Sequence, residues 1–496
     1  MFEKQFYKLS AVLFFLMMTA AFLLAIFANN AYGIHINAFL MLIGMAIYLY
    51  ISFLFLKDRT KFTKKRLLVI TLLLFLLQLF ILSNIITSVG WDCGILLGGA
   101  KRDLHHVSHH INHYLSIYPN NLLLFLIERN LFRFFRHFTD SISGFAIMDV
   151  LNLLIIDLTI IVTALTGEKL LGRSYLLPCY YLAASMLAFF PWIMIPYSDT
   201  LGMLFPILAL YCYLKGNEDA SRKSILYWLL SGICFGIGYL LKPTALIPFI
   251  AIFCVQLFRS KSDFKRQLVS FLMQLVGIFC LCSLFSLYSS HQTDLQLNPE
   301  EKTPISHFLV LGSHYAIRED GEELFGTYNT KDVTDMLKHY STKEKHDHSM
   351  NRYHDRLQQY GPIGYLNFLY HKFKWITGDG MFSWGIEGNF IKEGKPPVTA
   401  TLPILQEFYY PHGKWLGILE FIFQSIWLCI LLGCVIGGIK TANTTISILR
   451  LTCIGMILFL LLFEGRARYL IISLPFFILL AVYGYQTYLP KLKRAN

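Results

Sequence analysis

Apolar stretches of about 20 residues recur along this chain, from residues 9–29 near its start to 468–487 near its end. A helix of that length crosses a hydrocarbon core of about 30 Å. Within that core only helices or closed barrels satisfy their own backbone groups. The expected fold is therefore an all-α polytopic membrane bundle. Hydrophobic residues make up 55% of the 496-residue chain and charged residues 15%, whereas a soluble domain is about 25% charged. A disordered chain, a disulfide scaffold and a soluble enzyme with one anchor are excluded.

Spans are expected near 9–29, 37–56, 67–88, 142–166, 175–195, 200–214, 225–241, 243–258, 267–289, 416–438, 446–463 and 468–487, about twelve in all. The first reads as a retained helix rather than a signal peptide, since it lacks a small-residue cleavage site and a second span follows at once. The segment Lys57 to Arg66 holds six cations in ten residues. Further basic links run from Lys169 to Arg173, Lys215 to Lys223 and Arg259 to Arg266, and the tail carries Lys491, Lys493 and Arg494. Lys and Arg in short loops stay cytoplasmic, so twelve spans put both termini inside a cell membrane. The net charge of +12 reflects these loops. No compact basic stripe with interleaved aromatics suggests nucleic acid.

This count makes five regions: N-terminal membrane helices (1–88), a first external loop (89–141), a central bundle (142–289), a large external loop (290–415) and C-terminal helices (416–496). Residues 119–137 are apolar enough to imitate a further span, but Arg129, Arg133 and Arg136 recur at roughly helical spacing. That pattern suits a juxtamembrane helix lying in the outer interface. The 290–415 loop is mixed in charge and rich in aromatics, which points to a small folded subdomain. Nine of the ten cysteines lie in apolar segments, and Cys93 is expected in an aqueous loop. They form no disulfide framework.

Four short stretches near the outer boundary carry charge where burial in lipid costs about 2.5–3.5 kcal/mol per residue. In Gly90-Trp91-Asp92-Cys93-Gly94, Asp92 stands where a helix meets water and suits a general base; alone, it reads more simply as a solvated residue of an interfacial turn. In Pro196-Tyr197-Ser198-Asp199-Thr200, Asp199 is either a helix cap or a second acid facing the same cavity. Lys242, before Pro243, either snorkels to headgroups or meets an anion. In Glu464-Gly465-Arg466-Ala467-Arg468-Tyr469, Arg466 and Arg468 either anchor to headgroups, with an Arg–Glu464 pair, or grip a lipid phosphate through paired donors. Together they put acids and cations on one membrane face, beside a bundle able to hold a long lipid chain. A lipid-phosphate substrate needs that layout.

His105, His106, His109, His110 and His113 lie at helical spacing, with neither Cys nor acid at a recognised zinc interval. They read as an interfacial amphipathic helix. No Walker loop, dinucleotide fingerprint or Gly-x-Ser-x-Gly elbow is present.

The four stretches resemble the GT-C superfamily of membrane glycosyltransferases, the fold class of the protein O-mannosyltransferases and the lipid A aminoarabinose transferase. The chain looks most like bacterial members read as users of undecaprenyl-phosphate sugars. The resemblance runs roughly from Trp91 to Tyr469 and rests on short, degenerate motifs. It implies that Asp92 is the catalytic base, Asp199 the second acidic site, and Lys242, Arg466 and Arg468 the donor-phosphate contacts, with Glu464 and Tyr469 in support. Tyr118-Pro119-Asn120-Asn121 resembles the family's external juxtamembrane element. The chain departs from the pattern in having one acid in the first loop where a pair is expected (Asp103 follows), and two extra spans before the first of the family core. Asp379 to Gly385 and Glu387 resemble stretches in related proteins without gaining a role.

The implied activity is inverting transfer of a sugar from a polyprenyl-phosphate donor to a glycan or protein acceptor at the outer leaflet, serving the cell envelope. No required cofactor is evident from the resemblance, although some relatives use a divalent metal (Mg or Mn), which Asp92 with Asp199 could hold. The alternatives are a polysaccharide polymerase or ligase using lipid-diphosphate glycans, and a lipid-linked glycan transporter or flippase. The absence of internal repeats and of midplane charges among these stretches weighs against transport.

Overall fold

The computed structural model describes residues 2–28, 37–57, 59–138, 144–258, 264–317, 321, 323–384, 400–440 and 443–486. Gly385, Glu387, most of the Arg259–Arg266 link and the basic tail lie outside them. Helix dominates, as expected. Among the described residues nine helices are long and apolar enough to span: Glu3–Phe27, Ala38–Phe55, Lys64–Ile85, Gly144–Leu171, Lys223–Leu241, Phe264–Ser290, Leu416–Ile439, Thr444–Leu462 and Ala467–Tyr485. The three other expected positions hold shorter helices, Leu176–Leu187, Leu204–Glu218 and Ile247–Phe258. Each is broken or flanked by proline: Pro191 opens a 3-10 turn after the first, and Pro243 opens one before the last. Proline lacks the N–H that a continuous ladder needs.

Close helix packing in lipid relies on small residues, because lipid is as apolar as leucine. Two glycine contacts illustrate this. A Cβ on Gly484 would strike the Gly433 carbonyl, joining the last helix to Leu416–Ile439. A Cβ on Gly232 would strike the Gln274 carbonyl, joining Lys223–Leu241 to Phe264–Ser290.

The two segments expected as loops fold together rather than separately. From the first come the helices Trp91–Arg102, His109–Ile117 and Leu122–Arg136. From the second come the helices Ile305–Gly312 and Thr330–Leu337, a hairpin pairing Tyr315–Ile317 with Glu323–Phe325, and the long helix Thr342–Thr377. The hairpin adds a little β-structure to the all-α expectation. The long helix kinks at Gly361, which takes a φ of 60° before Pro362. Backbone N–H groups of Thr303, Asn298 and Gln296 bond to Ile117 O, Ser116 Oγ and Asn112 Oδ1, stitching one segment to the other.

Several local expectations change. Leu122–Arg136 is helical, 15 residues and about 22 Å long. Its arginines do not all face headgroups, however. Arg129 is fully buried, pairs with Asp294 and donates to Asp103 O at 2.9 Å, and Arg133 donates to Leu104 O. Arginine so placed clamps a loop, because its planar fork bonds several acceptors at once. The histidine helix begins only at His109, leaving His105 and His106 in the preceding bend; all five histidines are exposed. Cys93 is buried, not in water, with Sγ 3.8 Å from Pro196 O. All ten cysteines are free.

Candidate functional site

The four charged stretches converge on one cluster. Asp92 lies in the first turn of Trp91–Arg102, where unpaired N–H groups and the helix dipole favour a carboxylate. The preceding Trp91 has a φ of 55°. A bulky residue pays about 1–3 kcal/mol for that region, and such strain tends to mark functional positions.

From Asp92 the contacts run in a ring. Tyr197 Oη donates to Asp92 Oδ2 at 2.8 Å. The Tyr197 ring lies 4.0 Å from the Arg468 guanidinium carbon, a stacking that desolvation strengthens. Arg468 pairs with Asp199 at 3.5 Å, and Asp199 pairs with Lys242. The Lys242 ammonium sits 3.8 Å over the Tyr469 ring. Tyr469 Oη and Arg466 Nε both donate to Glu464 Oε1 at 3.2 Å. Arg466 in turn lies 4.7 Å from the Trp91 ring, beside Asp92. Asp92, Asp199 and Glu464 balance Lys242, Arg466 and Arg468, so the cluster is neutral.

Burial separates the two candidate acids. Asp199 is 0% exposed, whereas Asp92 is only half-buried. Asp199 does not cap a helix either: the short helix Ser198–Leu201 has no side-chain cap, and its carboxylate turns to the two cations. Burial pulls the Lys242 ammonium below its usual range, against the opposing pull of Asp199.

Three tyrosines from outside the four charged stretches also lie near this acid, Tyr118 among them from the Tyr118–Asn121 motif. Burial pushes the Tyr114, Tyr118 and Tyr328 phenols up, and Asp92 adds to the shift in each. The same causes raise Tyr197. These groups keep their protons at neutral pH. Tyrosine alone gives no local signal in a chain with 28 of them, so only the fold reveals this set.

Lys372, on the long helix Thr342–Thr377, also carried no sequence signal. It is fully buried, and its Nζ donates to Gly312 O at 2.7 Å, Leu461 O at 3.0 Å and Phe463 O at 2.6 Å. Three donors thus meet three carbonyls. The Glu464 N–H bonds to Phe308 O and the Gly465 N–H to Gly326 O, both at 2.9 Å. A side chain on Gly465 would crowd Leu460 O and Lys372. The turn bearing Glu464 and Arg466 is therefore pinned from outside the bundle. Burial pushes the Lys372 ammonium down to about 7, while Glu464 pulls it upward.

The residues do not fit a divalent metal. Asp199 is engaged by Lys242 and Arg468, which leaves Asp92 as the one carboxylate of the pair open to an ion, so every other oxygen would have to come from water or substrate. Among the described residues no group of three His, Cys, Asp or Glu side chains is placed to hold an ion. The Asp379 stretch is an anchor: Asp379 accepts from Met381 N at 2.7 Å, Gly380 N donates to Gln424 Oε1 at 2.6 Å, and Trp384 Nε1 to Tyr409 O at 2.8 Å. It ties the end of the external subdomain into the bundle.

Fold and cluster together define an integral membrane protein with several apolar spanning helices and a polar, aromatic-lined cluster beside a folded loop unit. The chain belongs to a family described as conserved hypothetical integral membrane protein, which matches residues 2–488. No curated protein and no solved structure matches it.

Proposed function

We propose that the protein is a GT-C-type membrane glycosyltransferase, transferring a sugar from a polyprenyl-phosphate donor to a glycan or protein acceptor at the outer face of the cytoplasmic membrane. In this reading it has twelve spans and both termini inside. One observation carries the proposal: a partly exposed carboxylate, Asp92, shares a ring of contacts with three cations. Direct displacement at an anomeric carbon needs that pairing. The acceptor oxygen bonds to the anomeric carbon as the bond to phosphate oxygen breaks, and the configuration inverts. Asp92 takes the acceptor proton. Lys242, Arg466 and Arg468 stabilise the charge left on the polyprenyl phosphate.

The roles within the ring differ from those the resemblance implies. Asp199, sealed between Lys242 and Arg468, serves as their counter-ion and not as a second catalytic acid. Glu464, at 12% exposure against 0% for Asp199, is the carboxylate that yields when donor phosphate enters. The test is to incubate purified protein with radiolabelled polyprenyl-phosphate sugars and membrane extract, and to follow the label. Transfer that disappears in Asp92→Asn supports the reading. Transfer only from lipid-diphosphate glycans would replace it with a ligase.

A further inference from the structure

The external subdomain contains a second polar pocket, separate from the ring. It is a cavity of about 70 Å³ among the helices Ile305–Gly312, Thr330–Leu337 and Thr342–Thr377. His307 and Ser349 form part of its lining, 2% and 0% exposed, and neither His307 Nε2 nor Ser349 Oγ has a partner. A buried polar atom left unpaired costs about 1–3 kcal/mol, so two at one cavity call for an occupant. Arg352 and Asp335 sit at the mouth, with side chains 42% and 32% exposed, which leaves a way in from the water.

The chemistry of the lining narrows the occupant. A metal is disfavoured, since no set of three ligating side chains converges among the described residues. An anion would meet Asp335 and Asp332. The second of these is neutralised by Arg356, whose Nη2 bonds both carboxylate oxygens at 2.7 Å. His307 adds no positive charge at neutral pH, because burial drives its imidazole down to about 4. What remains is a mixture of acceptors (Asp335, which also pairs with Lys338) and donors (Arg352), with Ser349, His348 and neutral His307 able to act as either. A neutral ligand carrying several hydroxyls satisfies such a set. At about 10–15 Å³ per water-sized probe, the cavity has room for several hydroxyl groups on one edge of a sugar ring.

We propose that this pocket binds a neutral sugar, either free or as a unit of a longer glycan. The inference is independent of the transfer reaction, though the two sites share a helix: Phe308, next to His307, supplies the carbonyl that holds Glu464 N–H.

The test uses the full-length protein in lipid nanodiscs and saturation-transfer NMR. The probes are methyl glucoside, methyl mannoside, methyl galactoside and methyl N-acetylglucosaminide, followed by trisaccharides of whichever binds. At least one should give a transfer signal, weakened tenfold or more in both His307→Phe and Arg352→Met and unchanged in Asp92→Asn. The trisaccharide arm separates a free sugar from a chain unit. Arg352 lies at the mouth, so its substitution reports on the pocket even where His307→Phe fails to fold. Silence from all four probes would overturn the proposal, as would a signal indifferent to both pocket variants. Loss in Asp92→Asn alone would assign the sugar to the ring, and displacement by inorganic phosphate would mark an anion site.

Discussion

Asp92 and Asp199 are the same residue type in stretches of similar look, yet the fold gives them opposite surroundings. Asp92 keeps an exposed side and accepts from one phenol; Asp199 is sealed between two cations. Their asparagine variants should differ accordingly. Asp92→Asn should cut turnover by about 10²–10⁴-fold, as for a lost general base, with donor binding and melting temperature near wild type. Asp199→Asn should instead destabilise the protein, because removing one partner of a buried pair costs about 3–5 kcal/mol. Adding Lys242→Met should restore part of that loss. Melting curves and donor titrations on the variants check both; a stable, inactive Asp199→Asn would show that Asp199 takes part in the chemistry. The charged positions were legible in the sequence, because a charge at a span boundary is costly and stands out. Which acid is open was not legible, since exposure depends on Tyr197, Arg468 and Lys242 meeting across 271 residues of chain, from 197 to 468.

Elements were legible where they are long and apolar, and less so where they are short. Leu176–Leu187 and Ile247–Phe258 have 12 residues each, and their apolar windows run on through 3-10 turns that hydropathy does not separate from helix. Lys372 went unread for another reason: an amphipathic external helix gives no hint that one of its lysines points into a carbonyl cage. That lysine is the main tie between the long helix and the turn bearing Glu464. Lys372→Met keeps the length of the stem but removes all three bonds. The turn should loosen, so donor affinity should fall more than Asp92→Asn lowers it, and hydrogen exchange at 461–465 should quicken. The pH dependence has a definite sign. With a folded value about 7 against an ordinary 10.5, the unfolded chain binds the extra proton between these limits. Stability from this group is therefore greatest above about pH 10.5 and is lost as pH falls toward 7. Melting temperature in Lys372→Met should lack that component, and an unchanged pH slope would assign the dependence elsewhere.

At the scale of the molecule, burial is graded across the bundle. The C-terminal helices Leu416–Ile439, Thr444–Leu462 and Ala467–Tyr485 have 72%, 61% and 89% of their apolar windows buried, against 11% for Ala38–Phe55 and 17% for Phe264–Ser290. The first group forms the packed centre, and the others present their side chains to lipid. The ring hangs on that centre, since Arg466 stands just before the most buried helix and Arg468 and Tyr469 lie in its opening 3-10 turns. This ties function to orientation: the ring, the external subdomain and the 57–66 cations cannot all keep their assigned sides unless the crossings number as proposed. Single cysteines are best placed at exposed positions, such as Lys57 for the basic loop and Tyr340 for the subdomain, in a chain whose exposed Cys280 and half-exposed Cys212, Cys254 and Cys282 are first replaced by alanine. An impermeant maleimide should label position 340 in intact cells and position 57 only after permeabilisation. The three shorter helices make this a test of more than handedness. If one of them fails to cross, segments on either side exchange faces: dropping Ile247–Phe258 alone would leave 57 inside but bring 340 inside as well. Labelling of 57 and 340 from the same side would therefore remove one crossing between them; with a shorter helix as the one lost, Asp92 and the Arg466 turn would fall on opposite faces, which overturns the outer-face reaction. Labelling from opposite sides, with 340 outside, is the result the proposed reaction requires.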